Sequence, residues 1–197
     1  MASHRYSIRP ADPAAHLYEM RLTVVSPDPG GQEFAMPTWI PGSYMVRDYA
    51  RHVVSARAES DGRDVALVKV DKSRWRAVPT DRELTLVFDI YAHDESVRGA
   101  HLDTTHAFFN GTCVFPAVVG QEDTACEVEI EAQEKPVGRN WRVATAMQRK
   151  DAEQYGFGLY HAADYDELID HPVEIGELSI GEFEANCIPH AIAIRGD

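Results

Sequence analysis

Histidines are the first residues to test for chemistry, because a catalytic zinc site often uses two histidines four apart on one helix, with a glutamate beside the first. The chain has nine histidines, and no two of them are four apart. His101 and His106, near Asp103, are five apart; this spacing would splay them on a helix and put them on opposite faces of a strand. We therefore predict no metal site in this chain and interpret these residues as polar positions of a loop or strand.

Three other patterns match catalytic motifs only in part. Ser43, in the run P-G-S-Y, lacks the second glycine and the strand-to-helix setting of a nucleophile elbow. Residues 103–105 (DTT) carry threonine where an aspartic protease has glycine, so a turn is favoured. Nothing in the sequence positions a histidine beside Cys113, which we interpret as a buried apolar thiol. Asn110-Gly111 is interpreted as an ordinary turn dipeptide.

Residues 36–53 (MPTWIPGSYMVRDYARHV) contain the highest density of conformationally special residues in the chain. Pro37 and Pro41 fix φ and favour extended geometry in the residues before them, and Gly42 permits a tight turn. Hydrogen-bonding side chains follow the turn, among them Tyr44, Arg47 and Asp48. We predict a shaped loop, called the signature loop below, that either presents these side chains to a neighbour or is held by an ion pair of Asp48 with Arg47 or Arg51.

The signature loop resembles the W-x-P-G-S-Y-x-x-R-D-Y/F run of the amino-terminal domain of glycyl aminopeptidases, zinc metallopeptidases of family sixty-one. Other blocks fit in the same order, so the resemblance covers nearly the whole chain. They are residues 72–75 (KSRW), 91–97, 102–111 (LDTTHAFFNG), 141–145 (WRVAT) and 164–176 (DYDELIDHPVEIG).

The resemblance implies a parent enzyme with a β-rich amino-terminal domain, a thermolysin-like zinc domain and a PDZ domain. Residues 1–197 correspond to the first of these, so the expected partners are the chain's own downstream catalytic domain and a peptide substrate. Zinc, its bound water and a helix-borne glutamate base would belong to the missing catalytic domain, and no cofactor is expected here. We predict a non-catalytic domain that forms one wall of the cleft of a peptidase releasing amino-terminal glycine.

The resemblance also suggests substrate-binding residues, although not catalytic ones. Asn110 corresponds in position to a polar residue that binds the substrate's free amine in related zinc aminopeptidases with a saddle-like β domain. Tyr44, Arg47 and Asp48 of the signature loop are the other candidates. The stretch 107–119 that contains Asn110 is also apolar enough to be core alone.

Composition indicates one ordinary folded unit with an acidic surface. Nineteen Lys and Arg against 32 Asp and Glu give a net charge of −13, which argues against nucleic acid as a partner. Ten acidic residues and no Lys or Arg lie within residues 151–187; this stretch is either a solvated surface or a rim that attracts a cationic amino terminus. No apolar run is long enough to span a membrane, and the start lacks a secretory signal, so a cytoplasmic location is expected unless a signal was removed.

The cysteines and the strand patterns complete the prediction. Cys113, Cys126 and Cys187 are interpreted as small core residues in a reducing compartment. Alternation of apolar and polar residues predicts strands at 20–24, 54–59 and 126–132, and β-branched runs predict strands at 65–70, 84–91, 114–119 and 188–194. Residues 164–169 predict one helical turn with a capping box, ended by Pro172. The fold class is all-β: an antiparallel sandwich or saddle of about ten strands.

Two alternatives of different classes stay open at this point. One is a stand-alone β-sandwich that binds a peptide or carbohydrate. The other is an independent hydrolase that uses Ser43 or Cys113.

Overall fold

The structure is a computed structural model that describes residues 3–133 and 140–196. The all-β prediction is confirmed, but the described residues form 18 strands, many of them two to four residues long, where about ten were predicted. The strands are β1 His4–Asp12, β2 Leu17–Val24, β3 Glu33–Ala35, β4 Val53–Ser60, β5 Arg63–Val65, β6 Leu67–Lys69, β7 Arg74–Ala77, β8 Leu84–Tyr91, β9 Ala100–Leu102, β10 His106–Phe109, β11 Ala117–Val118, β12 Cys126–Ile130, β13 Arg142–Thr145, β14 Gln148–Arg149, β15 Gly158–Ala162, β16 Val173–Gly176, β17 Leu178–Ala185 and β18 Ile188–Arg195. The helices are α1 Gly111–Val114 and α2 Tyr165–Asp170, and Tyr49–His52 form a 3-10 turn.

One large sheet carries the fold. Its eight strands run in the order β14-β15-β12-β1-β2-β8-β4-β5. All neighbours pair antiparallel except β1 and β12, which pair parallel from His4 opposite Cys126 to Ile8 opposite Ile130. In β2 every second side chain is buried, because one face of the strand lies on the core and the other on solvent.

Two four-stranded sheets cover the buried face of the large sheet, in the orders β13-β16-β10-β9 and β11-β3-β7-β6. Trp75 of β7 packs on Phe88 of β8, with ring centroids 4.8 Å apart. Tyr18 of β2 meets Phe109 of β10 edge to face at 5.8 Å. Burial of each such ring contributes on the order of 1.5–3 kcal/mol, and the hydroxyl of Tyr18 is satisfied by the carbonyl of His101 at 2.9 Å.

Several predicted elements are confirmed. Strand β8 has the predicted bounds, and β12 and β18 differ from prediction by one or two residues. Helix α2 begins after Asp164, whose carboxylate accepts from the N–H of Glu167 at 2.8 Å, while the Glu167 carboxylate accepts from the N–H of Ala163. These two hydrogen bonds form the predicted capping box, except that the Glu167 carboxylate accepts from the N–H of Ala163 and not from that of Asp164.

Three predictions on local structure are wrong. Residues 114–119 form a two-residue strand rather than one long strand, because residues 111–114 turn into α1. Asn110-Gly111 is therefore the start of a helix and not a hairpin turn. The strand predicted at 65–70 is divided between β5, which ends at Val65 and pairs with β4, and β6, which begins at Leu67 and pairs with β7.

The cysteine prediction holds for two of the three residues. Cys113 and Cys126 are buried, but Cys187 is exposed at the tip of the β17–β18 hairpin. Its φ of 60° and that of Asn186 at 52° are the left-handed values of a two-residue hairpin turn. Among residues 3–133 and 140–196, no helix is both long and apolar enough to cross a membrane.

Candidate functional site

The signature loop is shaped by a tight turn at its centre. The N–H of Ser43 donates to the carbonyl of Ile40 at 3.1 Å, and Gly42 has a φ of 79°. A proline at the second position and a glycine with positive φ at the third are the pattern of a type II turn. The buried side chain of Ile40 fixes the turn to the core, so the residues that follow project from the protein surface.

Arg47 ties the two ends of this loop together. Its guanidinium donates to the hydroxyl oxygen of Ser43 at 2.6 Å, and its N–H donates to the carbonyl of Thr38 at 2.6 Å. A guanidinium cannot take a proton from a serine, so this environment does not activate Ser43 as a nucleophile. Tyr44 is fully exposed and makes no contribution to the loop's own packing.

Asp48 is paired differently from the sequence-based prediction. Its carboxylate lies 2.8 Å from Nζ of Lys72 and is not paired with Arg47 or Arg51. Its oxygen Oδ1 is buried and lacks a well-angled hydrogen bond, so the contact with Lys72 is an ion pair rather than an aligned hydrogen bond. Lys72 is largely exposed, and such pairs contribute at most about 1 kcal/mol. Lys72 opens the KSRW block, so two separate blocks of the family pattern meet here.

A cavity of about 250 Å³ lies beside the signature loop, between the end of β8 and residues 94–100. Tyr49 forms one side of it and donates its hydroxyl proton to the carbonyl of Arg98 at 2.9 Å. The lining combines apolar side chains with a few charged ones. It consists of Met45, Val46, Arg47, Tyr49, Arg51, His52, Ile90, Tyr91, Asp94, Gly99, Ala100 and Cys113.

The charged groups of this cavity are mostly cationic. Burial lowers the pKa of His52, and the charge of Arg51 lowers it further against the opposite effect of Asp94. Burial alone would raise the pKa of Asp94, but hydrogen bonds from Ser96 and the charges of His52 and Arg51 hold it below its usual range. Asp94 is therefore ionised near neutral pH and is the anionic group of the lining. The sequence analysis missed it, because it lies outside the signature loop.

Asn110 does not line this cavity but is hydrogen-bonded to Gly99, which does. Its N–H donates to the carbonyl of Gly99 at 3.3 Å, and its side-chain oxygen accepts from the hydroxyl of Thr112 at 3.1 Å. A carbonyl oxygen has two lone pairs, so this oxygen can accept one more hydrogen bond. Cys113, one turn further, is buried, and burial raises the pKa of its thiol to about 12. That value opposes the hydrolase alternative based on Cys113, because the reactive thiolate is not formed.

The structure thus brings two of the four predicted binding residues to one place. Arg47 lines the cavity and Asn110 adjoins it, whereas Tyr44 projects into solvent and Asp48 faces Lys72. The roles of all four in binding substrate stay predictions.

The expectation that His101 and His106 diverge is wrong. They lie on β9 and β10, two antiparallel neighbours joined by a tight turn, so both side chains project from the same face. Their rings stack at 4.5 Å, and atoms of His101, Asp103 and His106 able to bind a metal lie within 4.8 Å of one another. The spacing argument failed because it assumed one continuous element, whereas residues 103–106 reverse the chain.

An exposed apolar surface lies on the β17–β18 hairpin. Side chains opposite one another in register share a face, and pairs such as Phe183 with His190 and Ala185 with Ile188 lie on one face with Ile192 and Ile194. Phe183, Ile188, Ile192 and Ile194 are each about half exposed. The other face of the hairpin is fixed to the body through Glu182, which accepts from the hydroxyl of Tyr155 at 2.8 Å and the amide of Gln154 at 2.9 Å.

Solved structures share this fold. An aminopeptidase N family protein from Idiomarina loihiensis is 39% identical with a TM-score of 0.94, over 98% of this chain and 32% of that chain. A variant of an M1 zinc metallopeptidase from Deinococcus radiodurans has a TM-score of 0.51 at 9% identity, over 92% of this chain and 43% of that chain. At such low identity the second likeness shows the fold alone. No curated protein sequence matches the chain.

The first of these likenesses defines a class, the β domains found in aminopeptidase N family proteins. The chain belongs to the peptidase M61 family: it matches the Peptidase M61 N-terminal domain over residues 5–177. The resemblance carried by the signature loop and the later blocks is therefore confirmed. The chain spans about a third of the length of the Idiomarina loihiensis protein.

Proposed function

We propose that this chain is the non-catalytic amino-terminal domain of a zinc aminopeptidase that releases amino-terminal glycine. In this proposal it packs on a downstream catalytic domain and forms one wall of the active-site cleft. The zinc, its bound water and the general base belong to that catalytic domain, and a PDZ domain follows it. Family membership and the 39% identity with the aminopeptidase N family protein from Idiomarina loihiensis support the general part of the proposal.

The observation that carries the proposal is the exposed apolar face of the β17–β18 hairpin. Four large apolar side chains on one face of a two-stranded element are unusual on a surface that is otherwise acidic. Because Glu182 anchors the opposite face, the apolar face is held outward instead of folding back on the body. A neighbouring domain that covers this face removes the exposed apolar area from water.

The hairpin can be tested on the chain itself. We expect the chain to bind an apolar fluorescent dye and to self-associate weakly, and Ile192→Ser should reduce both. The matched control is Val68→Ser, since Val68 is a similarly exposed aliphatic side chain in a different sheet. Equal effects of the two variants would show that the hairpin face is not a distinct docking surface.

Asn110 supports the second part of the proposal, the wall of the cleft. Its free oxygen lone pair suits a protonated amine, which donates hydrogen bonds. In the neighbouring cavity Asp94 supplies the carboxylate that offsets the positive charges of Arg47 and Arg51. The cavity is small, and the amino-terminal residue with the smallest side chain is glycine. The signature loop, with Tyr44 exposed and Arg47 in the cavity lining, would then face the peptide.

The test uses the enzyme that includes the downstream domain. We expect Asn110→Ala to raise KM for substrates with a free amino-terminal glycine, with a smaller change in kcat, because the lost contact binds the amine and not the reacting atoms. Asn140→Ala is the control, since Asn140 is exposed and lies away from this cavity. Unchanged kinetics in Asn110→Ala would remove Asn110 from the amine site while leaving the docking role of the hairpin intact.

A further inference from the structure

Four of the nine histidines form a row across one edge of the fold. His16 lies in the turn between β1 and β2, His93 follows β8, and His101 and His106 lie on β9 and β10. The ring centroids are 4.1 Å apart from His16 to His93, 5.5 Å from His93 to His101, and 4.5 Å from His101 to His106. His93 and His106 lie in the blocks 91–97 and 102–111, and none of the four imidazoles lines the cavity beside the signature loop.

His101 is the unusual member of the row. It is almost completely buried, and neither ring nitrogen has a hydrogen bond of acceptable geometry. Its Nε2 is 3.2 Å from Oδ2 of Asp103, close but poorly aligned for a hydrogen bond. A buried polar group without a partner costs about 1–3 kcal/mol, so its presence calls for a ligand or proton that satisfies it.

Asp103 is held with one oxygen facing this imidazole. Its Oδ1 accepts from the N–H of Thr105 at 2.6 Å, from the Thr105 hydroxyl at 2.6 Å and from the N–H of His106 at 2.9 Å. Oδ2 is then the oxygen that remains for another partner, and it is the one that faces His101.

We propose that His101, Asp103 and His106 form a binding site for a divalent cation of the zinc class. Two imidazoles and one carboxylate are a ligand set that zinc accepts, with a fourth position left for water. Imidazole favours zinc, copper and nickel over magnesium and calcium, which prefer oxygen ligands. The site is separate from the catalytic zinc of the proposed enzyme, whose ligands are not in this chain.

A modest rearrangement would complete the site. Zinc bonds of about 2.0–2.2 Å place neighbouring ligand atoms about 3.3 Å apart in a tetrahedron, whereas the three ligand atoms here span up to 4.8 Å. The two rings are stacked with a 26° tilt, so one ring must rotate for both lone pairs to converge. His106 is the better placed of the two to rotate, because it is the less buried ring at an open cavity of about 410 Å³. Its Nδ1 would give up long contacts with the Thr105 hydroxyl at 3.2 Å and with Oδ1 of Asp103 at 3.5 Å.

Three ionisable groups besides the histidines border this cavity: Glu95, Glu174 and Arg195. Glu174 adds a carboxyl near the imidazoles, and Arg195 of β18 places a positive charge near His106 and Glu174. Since Arg195 repels a cation, its removal should tighten binding. The hairpin that carries the apolar face therefore also influences the cation site.

The test is a titration of the 197-residue chain with Zn²⁺ by calorimetry, and with Co²⁺ by visible absorption. No H-E-x-x-H motif is present, so the signal does not come from a catalytic zinc site. We expect one ion per chain and a rise in Tm with Zn²⁺. His106→Gln and His101→Gln should each weaken binding by at least about tenfold, and Arg195→Gln should strengthen it.

His190→Gln is the control, since His190 is an exposed histidine on the hairpin. Absence of stoichiometric binding would overturn the proposal, and so would equal losses in His190→Gln and His106→Gln. If His101→Gln unfolds the chain, His106→Gln decides the result, because that ring lies at the open edge of the cluster. The outcome is independent of peptidase activity, so either proposal can fail alone.

Discussion

Gly111→Ala adds a single methyl group at the start of α1, and its effect on the free energy of unfolding distinguishes core packing from helix propensity. A Cβ at Gly111 would lie 2.7 Å from Cα of Ile169 and 2.9 Å from the carbonyl oxygen of Leu168, both backbone atoms of α2. Carbon atoms pack best at about 3.5–4.0 Å, so α1 would have to move away from α2 by about 1 Å. Gly111 does not have a positive φ, so backbone strain plays no part.

Two effects of opposite sign compete in Gly111→Ala. Replacing glycine by alanine inside a helix gains up to about 1 kcal/mol from propensity, whereas forcing a side chain into a packed core costs about 1–3 kcal/mol. The neighbouring atoms belong to the backbone and cannot rotate away, so we expect packing to decide and the free energy of unfolding to fall. A net loss of about 1–2 kcal/mol corresponds to a Tm lower by about 2–8 °C for a chain of this size.

Urea unfolding of Gly111→Ala beside Gly181→Ala measures this difference. Gly181 lies in β17, and no atom is within 4 Å of the position that a Cβ would take there, so alanine fits without a clash. We expect Gly181→Ala to change stability by less than about 0.5 kcal/mol. If Gly111→Ala were as stable as the original chain or more so, α1 and α2 would not be in the close contact described here. The same variant should also disturb Asn110, which immediately precedes α1.

Two further predictions concern the cap of α2 and the thiols. Asp164→Ala should lower the free energy of unfolding by about 1 kcal/mol, because it removes the side-chain cap of α2. The control Asp170→Ala removes a negative charge from the last turn of the same helix, so it should leave the free energy of unfolding unchanged or slightly higher. Equal losses of the two variants in urea unfolding would refute the capping role. In the folded chain a thiol reagent should modify Cys187 alone, because burial raises the pKa of Cys113 and of Cys126 to about 12. Cys187→Ser should therefore abolish the reaction. Two or more reactive thiols in the folded chain would contradict the burial of Cys113 and Cys126.

Elements whose determinants are local were predictable from the sequence. Strand β8 is a run of β-branched and aromatic residues bounded by polar ones, and α2 carries its start and stop signals in Asp164 and Pro172. Residues 114–119 were not predictable in this way. Their apolar composition suits either a strand or a buried helix, and the contact of Gly111 with Ile169, far along the chain, decides between them.

The candidate site was predictable only where it lies within one segment. Proline and glycine in residues 37–42 indicated a shaped loop, and the type II turn confirms it. The partner of Asp48 could not be chosen, because Lys72 reaches it from another part of the chain. Asp94 and the approach of His101 to His106 were missed for the same reason: strand pairing sets both, and the spacing of residues along the chain does not reveal it.

The parallel pairing of β1 with β12 affects how the protein can fold during synthesis. Strand β1 is made first and can pair with β2 at once, but its other edge has no partner until Cys126–Ile130 emerge, some 120 residues later. At about 5–20 residues per second, that wait is on the order of 6–24 s. Throughout this interval a strand from the centre of the sheet has an unpaired edge, which favours pairing with other chains. We expect release of the nascent chain before β12 has been made to cause aggregation, because the open edge of β1 then lacks its partner in the large sheet.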